Sequence, residues 1–195
     1  MRVSAALALT IALFAPPTFA QQWGSAREIP AEQSMIDIKL TGWGKSSIRR
    51  ASTNAGGDNN IHMEVINSSI TASAQGYYAV VVVHEAPNQT TWNRDTIQNI
   101  ANRFFSENQP VLGEYFDVDH GPADFRAIPV AVTGKDGKKN NCAAYRAYWR
   151  SYSALGFICA ANGAALAPET VKTFITHIAY RGELTPKDEG TLPTP

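Results

Sequence analysis

Residues 139–161, KNNCAAYRAYWRSYSALGFICAA, contain the only two cysteines of the chain, Cys142 and Cys159. If the two face each other across an antiparallel strand pair, the same register places Trp149 opposite Tyr152, with a two-residue turn between them. The cysteines then form a non-hydrogen-bonded pair, whose Cα atoms lie about 4.5 Å apart, within the range that a disulfide accepts. A four-residue loop on the same centre would keep this pairing. The stretch therefore predicts a disulfide-stapled β-hairpin.

Alternation along the two strands divides the hairpin side chains between two faces. One face has no charged side chain, so we expect it to face the core. Its residues are Ala143, Tyr145, Ala147, Trp149, Ala154, Gly156, Ile158 and Ala160. The other face is mixed and carries the disulfide together with Ala144, Arg146, Tyr148, Leu155 and Phe157. On that face, Arg146 and Tyr148 are placed to reach solvent or a ligand.

The first 20 residues have the pattern of a secretory signal peptide. Arg2 supplies a positive charge, residues 5–15 form an apolar run too short to span a bilayer, and residues 18–20 form a small-x-small cleavage site. Cleavage after Ala20 predicts a protein that is periplasmic or extracellular and soluble, with no transmembrane segment in the mature chain. Two cysteines in an oxidising compartment favour one disulfide.

The charge balance gives no electrostatic case for nucleic acid or for an anionic membrane surface as a partner. The chain carries 17 basic and 17 acidic residues, so that removal of Arg2 with the signal leaves a net charge near −1. This excludes the basic surplus that is typical of proteins that bind nucleic acid or an anionic membrane.

The remaining segments predict strands with two helices. Residues 35–40, 61–71, 77–85, 111–118 and 124–133 have strand character, and Pro129 places the last of these at an edge or a bulge. Residues 46–60 are small, polar and glycine-rich, which predicts a mobile loop. Amphipathic helices are predicted over 91–107, with Thr91 as N-cap, and from Pro168 to Gly182.

Together these segments predict a single α+β domain over residues 35–184. It consists mainly of an antiparallel sheet of about six to seven strands, with two amphipathic helices packed on the sheet. A polar leader covers residues 21–34, and a proline-rich tail, residues 185–195, is predicted to be disordered. The order of elements over roughly the last 60 residues resembles the end of PsbP/Mog1-like α+β modules. That resemblance implies an accessory or binding protein and assigns no functional residue.

One acidic segment favours a metal site as an alternative. Asp117, Asp119, His120 and Asp124 lie within eight residues, and carboxylates with an imidazole bind Ca²⁺ or a transition metal. The spacing does not match an EF-hand loop. A polar turn, in which the aspartates cap backbone N–H groups, explains the same residues.

The second cluster with functional character is aromatic and basic. Arg146, Tyr148, Arg150 and Tyr152 belong to the residue types that dominate binding hot spots. No nucleophile elbow, zinc-protease motif or dinucleotide-binding motif is present, so an enzymatic function is disfavoured and no cofactor is expected.

These observations favour an exported, non-catalytic binding or accessory protein. The face and tip of the stapled hairpin would contact an envelope protein or a small ligand. The alternative is a metal-binding protein or metal-dependent hydrolase that uses the acidic cluster at residues 117–124.

Overall fold

The computed structural model describes residues 26–56, 62–74, 76–87, 95–134, 137–186 and 188–195. The predicted signal peptide lies outside the described residues. The strands are β1 (Arg27–Glu28), β2 (Ile36–Ile38), β3 (Gly44–Gly56), β4 (His62–Ala74), β5 (Tyr77–Glu85), β6 (Val111–Leu112), β7 (Phe116–His120), β8 (Ala123–Thr133), β9 (Lys139–Trp149), β10 (Tyr152–Ala160) and β11 (Ile178–Tyr180). The helices are α1 (Ile97–Phe105) and α2 (Pro168–Thr176), with three short 3₁₀ turns at Ala31–Gln33, Ser106–Asn108 and Ala161–Gly163.

Nine strands form one sheet in the order β1-β3-β4-β5-β10-β9-β8-β6, with β7 also paired to β8, and every pairing in it is antiparallel. Strands β2 and β11 form a separate two-stranded sheet. The predicted fold class, an α+β domain of six to seven strands with two packed amphipathic helices, is wrong. The protein is mostly antiparallel sheet, and its two helices have only nine residues each.

The largest source of this error is the segment predicted as a mobile loop. Its first part belongs to β3, a 13-residue strand that pairs with β4 in twelve register positions. Alanine, asparagine and glycine are depleted in strands, and serine adds little strand propensity of its own. They form a strand here because β4 supplies the backbone partners, which shows how tertiary context overrides propensity.

The helices are shorter than their apolar stripes suggest. The N-cap of α1 is Thr96, whose hydroxyl accepts a hydrogen bond from the Asn99 N–H at 3.2 Å, so the prediction of Thr91 as N-cap is wrong. Helix α2 begins with Pro168 at its first position, as predicted, but ends at Thr176. Ile178, which continues the apolar stripe of α2, lies in β11 and pairs with β2 instead.

The structure confirms both the disulfide bond and the register of the stapled hairpin. Cys142 and Cys159 form a disulfide, and β9 pairs with β10 in nine positions that include Trp149 opposite Tyr152. Arg150 and Ser151 form the turn, and Arg150 adopts a left-handed φ of 43°. Strand β10 pairs with β5 on its other side, so the hairpin occupies the middle of the sheet.

Both faces of the sheet are covered, which gives the protein two apolar clusters. The α2 face packs against α2, β2 and β11, and it includes the whole hairpin face predicted to be core. The α1 face packs against α1 through Val80, Val82, Ile128, Ala144 and Phe157. The mixed face of the hairpin is therefore half covered, with Ala144 and Phe157 buried beneath α1.

Pro129 lies inside β8 without costing the sheet a hydrogen bond. Strand β7 pairs with β8 up to Ala127, and β6 resumes the pairing at Val130. The Pro129 carbonyl accepts from the Gly113 N–H at 2.9 Å, so the side of the residue that lacks a donor faces the junction between β6 and β7. A proline is tolerated there because its missing N–H falls at an interrupted edge.

Candidate functional site

The structure divides the four predicted contact residues among three places. Arg146 and Tyr148 lie half-buried on the α1 face of β9, and Tyr148 hydrogen-bonds to the backbone of Asp95, just before α1. Tyr152 lies on the opposite, α2 face, and Arg150 is the exposed tip of the hairpin. The hairpin tip and its α1 face therefore do not form one continuous surface.

Tyr152 and Arg150 belong to the closure of the core at the hairpin tip. Tyr152 stacks on Trp149 with ring centroids 5.3 Å apart and meets Tyr180 edge-on at 5.5 Å. Arg150 pairs with Glu183 at 3.2 Å. Because these contacts already engage both side chains, we interpret the tip as the place where the hairpin packs against β11 and the turn that follows β11.

The carboxylate of Glu85 is buried at the same end of the core. Glu85 is 8% exposed, and its Oε2 accepts from Arg181 Nη1 at 2.7 Å and from the Tyr180 hydroxyl at 3.2 Å. Burial, followed by the Glu85 charge, raises the pKa of Tyr180, so the phenol stays a hydrogen-bond donor.

On the α1 face, two arginines stand directly opposite each other. The register of β8 with β9 places Arg126 against Arg146 on neighbouring strands. The Arg126 guanidinium lies 4.4 Å from the centroid of the Tyr115 ring, and the Arg146 guanidinium lies 5.2 Å from that of Tyr148. We call Tyr115, Arg126, Arg146 and Tyr148 the Arg–Tyr surface.

The two arginines of this surface differ in their carboxylate partners. Arg126 Nε and Nη2 donate to the two oxygens of Asp117 at 2.7 and 3.3 Å, and this pair lowers the pKa of Asp117. Arg146 forms no ion pair with any carboxylate in the described part of the chain, and its buried Nε has no hydrogen-bond partner there. The charge of Arg146 also contributes to the lowered pKa of Asp117, but Arg146 does not bond to that carboxylate, so among the described residues its buried Nε–H is left without an acceptor beside a second arginine.

Tyr115 and Arg126 were not predicted as site residues, although a signal for Arg126 exists. The sequence Lys-Asp-Gly-Lys at residues 135–138 is typical of a hairpin turn, and an antiparallel pairing of β8 with β9 across it brings Arg126 next to Arg146. Tyr115 lies between β6 and β7, in a connection without periodicity, and only the fold places its 50% exposed ring against Arg126.

A polar row crosses the sheet beside the Arg–Tyr surface. Register neighbours on successive strands are Asp119, Asp124, Tyr148, Ser153, His84 and Asn67. His84 Nδ1 lies 3.4 Å from Ser153 Oγ. Ser153 is only 4% exposed, which leaves little access for a substrate, so the pair does not make a convincing nucleophile and base.

His84 predicts a pH-dependent stability. Its burial, with the nearby charge of Arg103, lowers the pKa from 6.5 to about 4 in the folded protein. Between these values the unfolded chain binds a proton that the folded chain does not, so stability falls as pH falls from 6.5 to 4, by about 3 kcal/mol. Urea unfolding at several pH values should show this slope, and His84→Gln should flatten it. Equal slopes in the two proteins would contradict the assignment, whatever the overall stability of the variant.

The acidic segment does not bring its four side chains together. On β7, Asp117 and Asp119 point to the α1 face, whereas His120 points to the α2 face. His120 is 6% exposed, and its Nε2 lies 2.7 Å from the Ile178 carbonyl oxygen. Asp124 lies opposite Asp119 on β8. No group of three or more metal-ligating side chains occurs among the described residues, and the sheet separates His120 from the three aspartates.

Neither helix in the described part of the chain is long and apolar enough to cross a membrane. Comparison with known proteins finds no matching family, no matching curated protein and no matching solved structure. The resemblance to PsbP/Mog1-like modules in element order therefore has no support from these comparisons.

Proposed function

We propose that this protein is an exported, non-catalytic binding module that holds an acidic group of a partner on the Arg–Tyr surface. The observation that carries the proposal is Arg146, a guanidinium placed against a second arginine, with no ion pair in the described structure and with a buried Nε that has no hydrogen-bond partner there. A carboxylate that bridges Arg126 and Arg146 would relieve their repulsion. It would also accept the strong, charge-assisted hydrogen bonds that guanidinium groups offer.

The surface is suited to recognition because its side chains are held in place. Tyr115 and Tyr148 lie against the two guanidinium groups, and hydrogen bonds to Asp117 hold the guanidinium group of Arg126 in place. A side chain that is already ordered loses less entropy on binding. Tyr115 adds half-exposed aromatic area, which is typical of binding hot spots.

Export is part of the proposal and is supported by the disulfide. One disulfide between the only two cysteines fits an oxidising compartment. N-terminal sequencing of the protein from its native host tests the signal peptide: the proposal expects a mature chain that begins at Gln21, and retention of residues 1–20 would contradict it.

Binding of an acidic peptide tests the surface. We expect a fluorescein-labelled octaglutamate peptide to bind the protein with an affinity that falls as salt rises. Arg146→Gln should weaken binding about tenfold, because a hydrogen bond to a charged group contributes roughly 1.5–3 kcal/mol. Fluorescence anisotropy at 20 and 200 mM NaCl measures both effects.

Arg49→Gln is the matched control. Arg49 lies on the same face and in the same cross-strand row as Arg126 and Arg146, but four strands away from Arg146, about 19 Å. The substitution removes the same charge and should leave affinity nearly unchanged. Equal losses in both variants would mean that the peptide responds only to net charge, and the proposed surface would be rejected.

A further inference from the structure

The last described residues, 188–195, pack against the α2 side of the protein. The Gly190 N–H donates to the Lys39 carbonyl at 3.0 Å, and the Thr41 N–H donates to the Gly190 carbonyl at 2.8 Å. Leu40 and Gly190 form a parallel β-bridge. The composition of this segment predicted that it is part of a disordered tail. Instead, the first part of the segment forms backbone hydrogen bonds with residues 39–41.

Beyond Gly190 the segment follows an aromatic groove. Leu192 is 9% exposed and joins the core of the α2 face. The Tyr77 hydroxyl donates to the Pro193 carbonyl at 3.0 Å, and the Pro195 ring lies against Gly76, so close that a Cβ there would sit 3.0 Å from Pro195 Cγ. We call the surface formed by residues 39–41, Gly76 and Tyr77 the tail groove.

Aromatic stacking fixes the floor of the tail groove. The rings of Trp43 and Tyr77 are stacked with centroids 6.5 Å apart, and Trp43 in turn lies 5.2 Å from Phe174 of α2. Gly76 has a left-handed φ of 86° and no side chain, so the turn between β4 and β5 leaves room for a proline ring. The floor is thus built by the core and does not depend on the segment for its shape.

This arrangement combines two known modes of peptide recognition. Backbone pairing at a strand edge provides affinity that is independent of side chains, and proline-containing segments dock on aromatic grooves at low entropic cost. The anchors of residues 188–195 are few, because Leu192 is the only buried side chain among them. Segments with few buried contacts open at a lower free energy than the core does.

We propose that the tail groove is a peptide-binding site that residues 188–195 occupy in cis. An extended segment of a partner protein, in which a glycine or another small residue precedes an aliphatic residue followed by proline, binds when the tail opens. This site lies on the sheet face opposite to the Arg–Tyr surface, and it is independent of the proposed function.

The test uses the full chain and a fluorescein-labelled peptide with the sequence of residues 188–195. Leu192→Glu removes the buried anchor of the tail and leaves the groove intact. We expect this variant to bind the probe saturably and at least tenfold more tightly than the wild-type chain, in which a tethered copy competes at high effective concentration. Anisotropy at fixed salt measures the binding, and circular dichroism checks the fold.

Two controls make the result specific to the groove. A probe with glutamate in place of its leucine should not bind, and Tyr77→Phe combined with Leu192→Glu should weaken binding, since the bond to the Pro193 carbonyl is lost. If Leu192→Glu does not fold, Leu192→Ala replaces it with the same expectation. A folded variant that fails to bind the probe would overturn the proposal. Binding seen only together with dimerisation would also overturn it, because the groove would then exchange tails between copies.

Discussion

Gly156→Ala is expected to lower the free energy of unfolding by about 4 kcal/mol. Gly156 lies opposite Tyr145 on the α2 face of the hairpin, and Tyr145 is fully buried. A Cβ at position 156 would sit 2.0 Å from the Val80 carbonyl oxygen and 2.5 Å from the Tyr145 hydroxyl. The substitution must therefore shift the β5 backbone at Val80 as well as the Tyr145 ring, and so disturb the 2.8 Å hydrogen bond from that hydroxyl to the Val80 carbonyl. Overpacking and a lost buried hydrogen bond each cost roughly 1–3 kcal/mol.

Denaturant unfolding measures this loss, with Gly44→Ala as the matched control. Gly44 is also in a strand of the same sheet, but a Cβ there would meet only the Ser73 carbonyl oxygen, at 3.9 Å. Its replacement should change stability by less than about 0.5 kcal/mol. Combining Tyr145→Leu with Gly156→Ala should cost less than the two single losses together, because a shorter side chain vacates the contact. An additive result would show that the clash does not involve Tyr145.

Reduction of the disulfide is expected to lower the free energy of unfolding by about 3 kcal/mol. The bond joins residues 17 positions apart, and the chain-entropy model assigns this value to a loop of that size. The corresponding fall in melting temperature is roughly 6–12 °C for a protein of this length. Thermal unfolding with and without a thiol-free reductant measures the fall without changing any residue.

The hairpin should nevertheless keep its register after reduction. Strand β10 pairs in nine positions with β9 and in nine with β5, so its backbone hydrogen bonds do not depend on the bridge. We expect the amide protons of β10 to remain among the slowest to exchange in the reduced protein. The Cys142→Ala/Cys159→Ala variant is a second check and should behave like the reduced chain. An unchanged melting temperature on full reduction would contradict the expectation, as would alkylation of both thiols in the unreduced native protein.

The stapled hairpin could be predicted from the sequence in detail because all the information for it is local. Two cysteines that face each other and a strict alternation specify one register, whether the loop has two residues or four, and that register already places Gly156 opposite Tyr145. The uncharged face of the hairpin is buried for the same reason, since the period of a strand is two and one face carries no charge. The structure also confirms a second prediction from local sequence, the start of α2 at Pro168.

The extent of the sheet was decided by tertiary structure. Residues 44–56 form a strand only because β4 pairs with them, and Ile178 leaves the helical stripe because β2 offers it a strand partner. The candidate site has the same origin. Arg146 and Tyr148 were recognisable in the sequence by their residue types. The cover that α1 forms over its face and the register of β8 with β9 place them beside Arg126 and Tyr115. Arg150 and Tyr152 lie elsewhere. Local sequence specifies which face a side chain takes within its own hairpin, whereas its neighbours across the sheet depend on pairings between distant segments that no local pattern records.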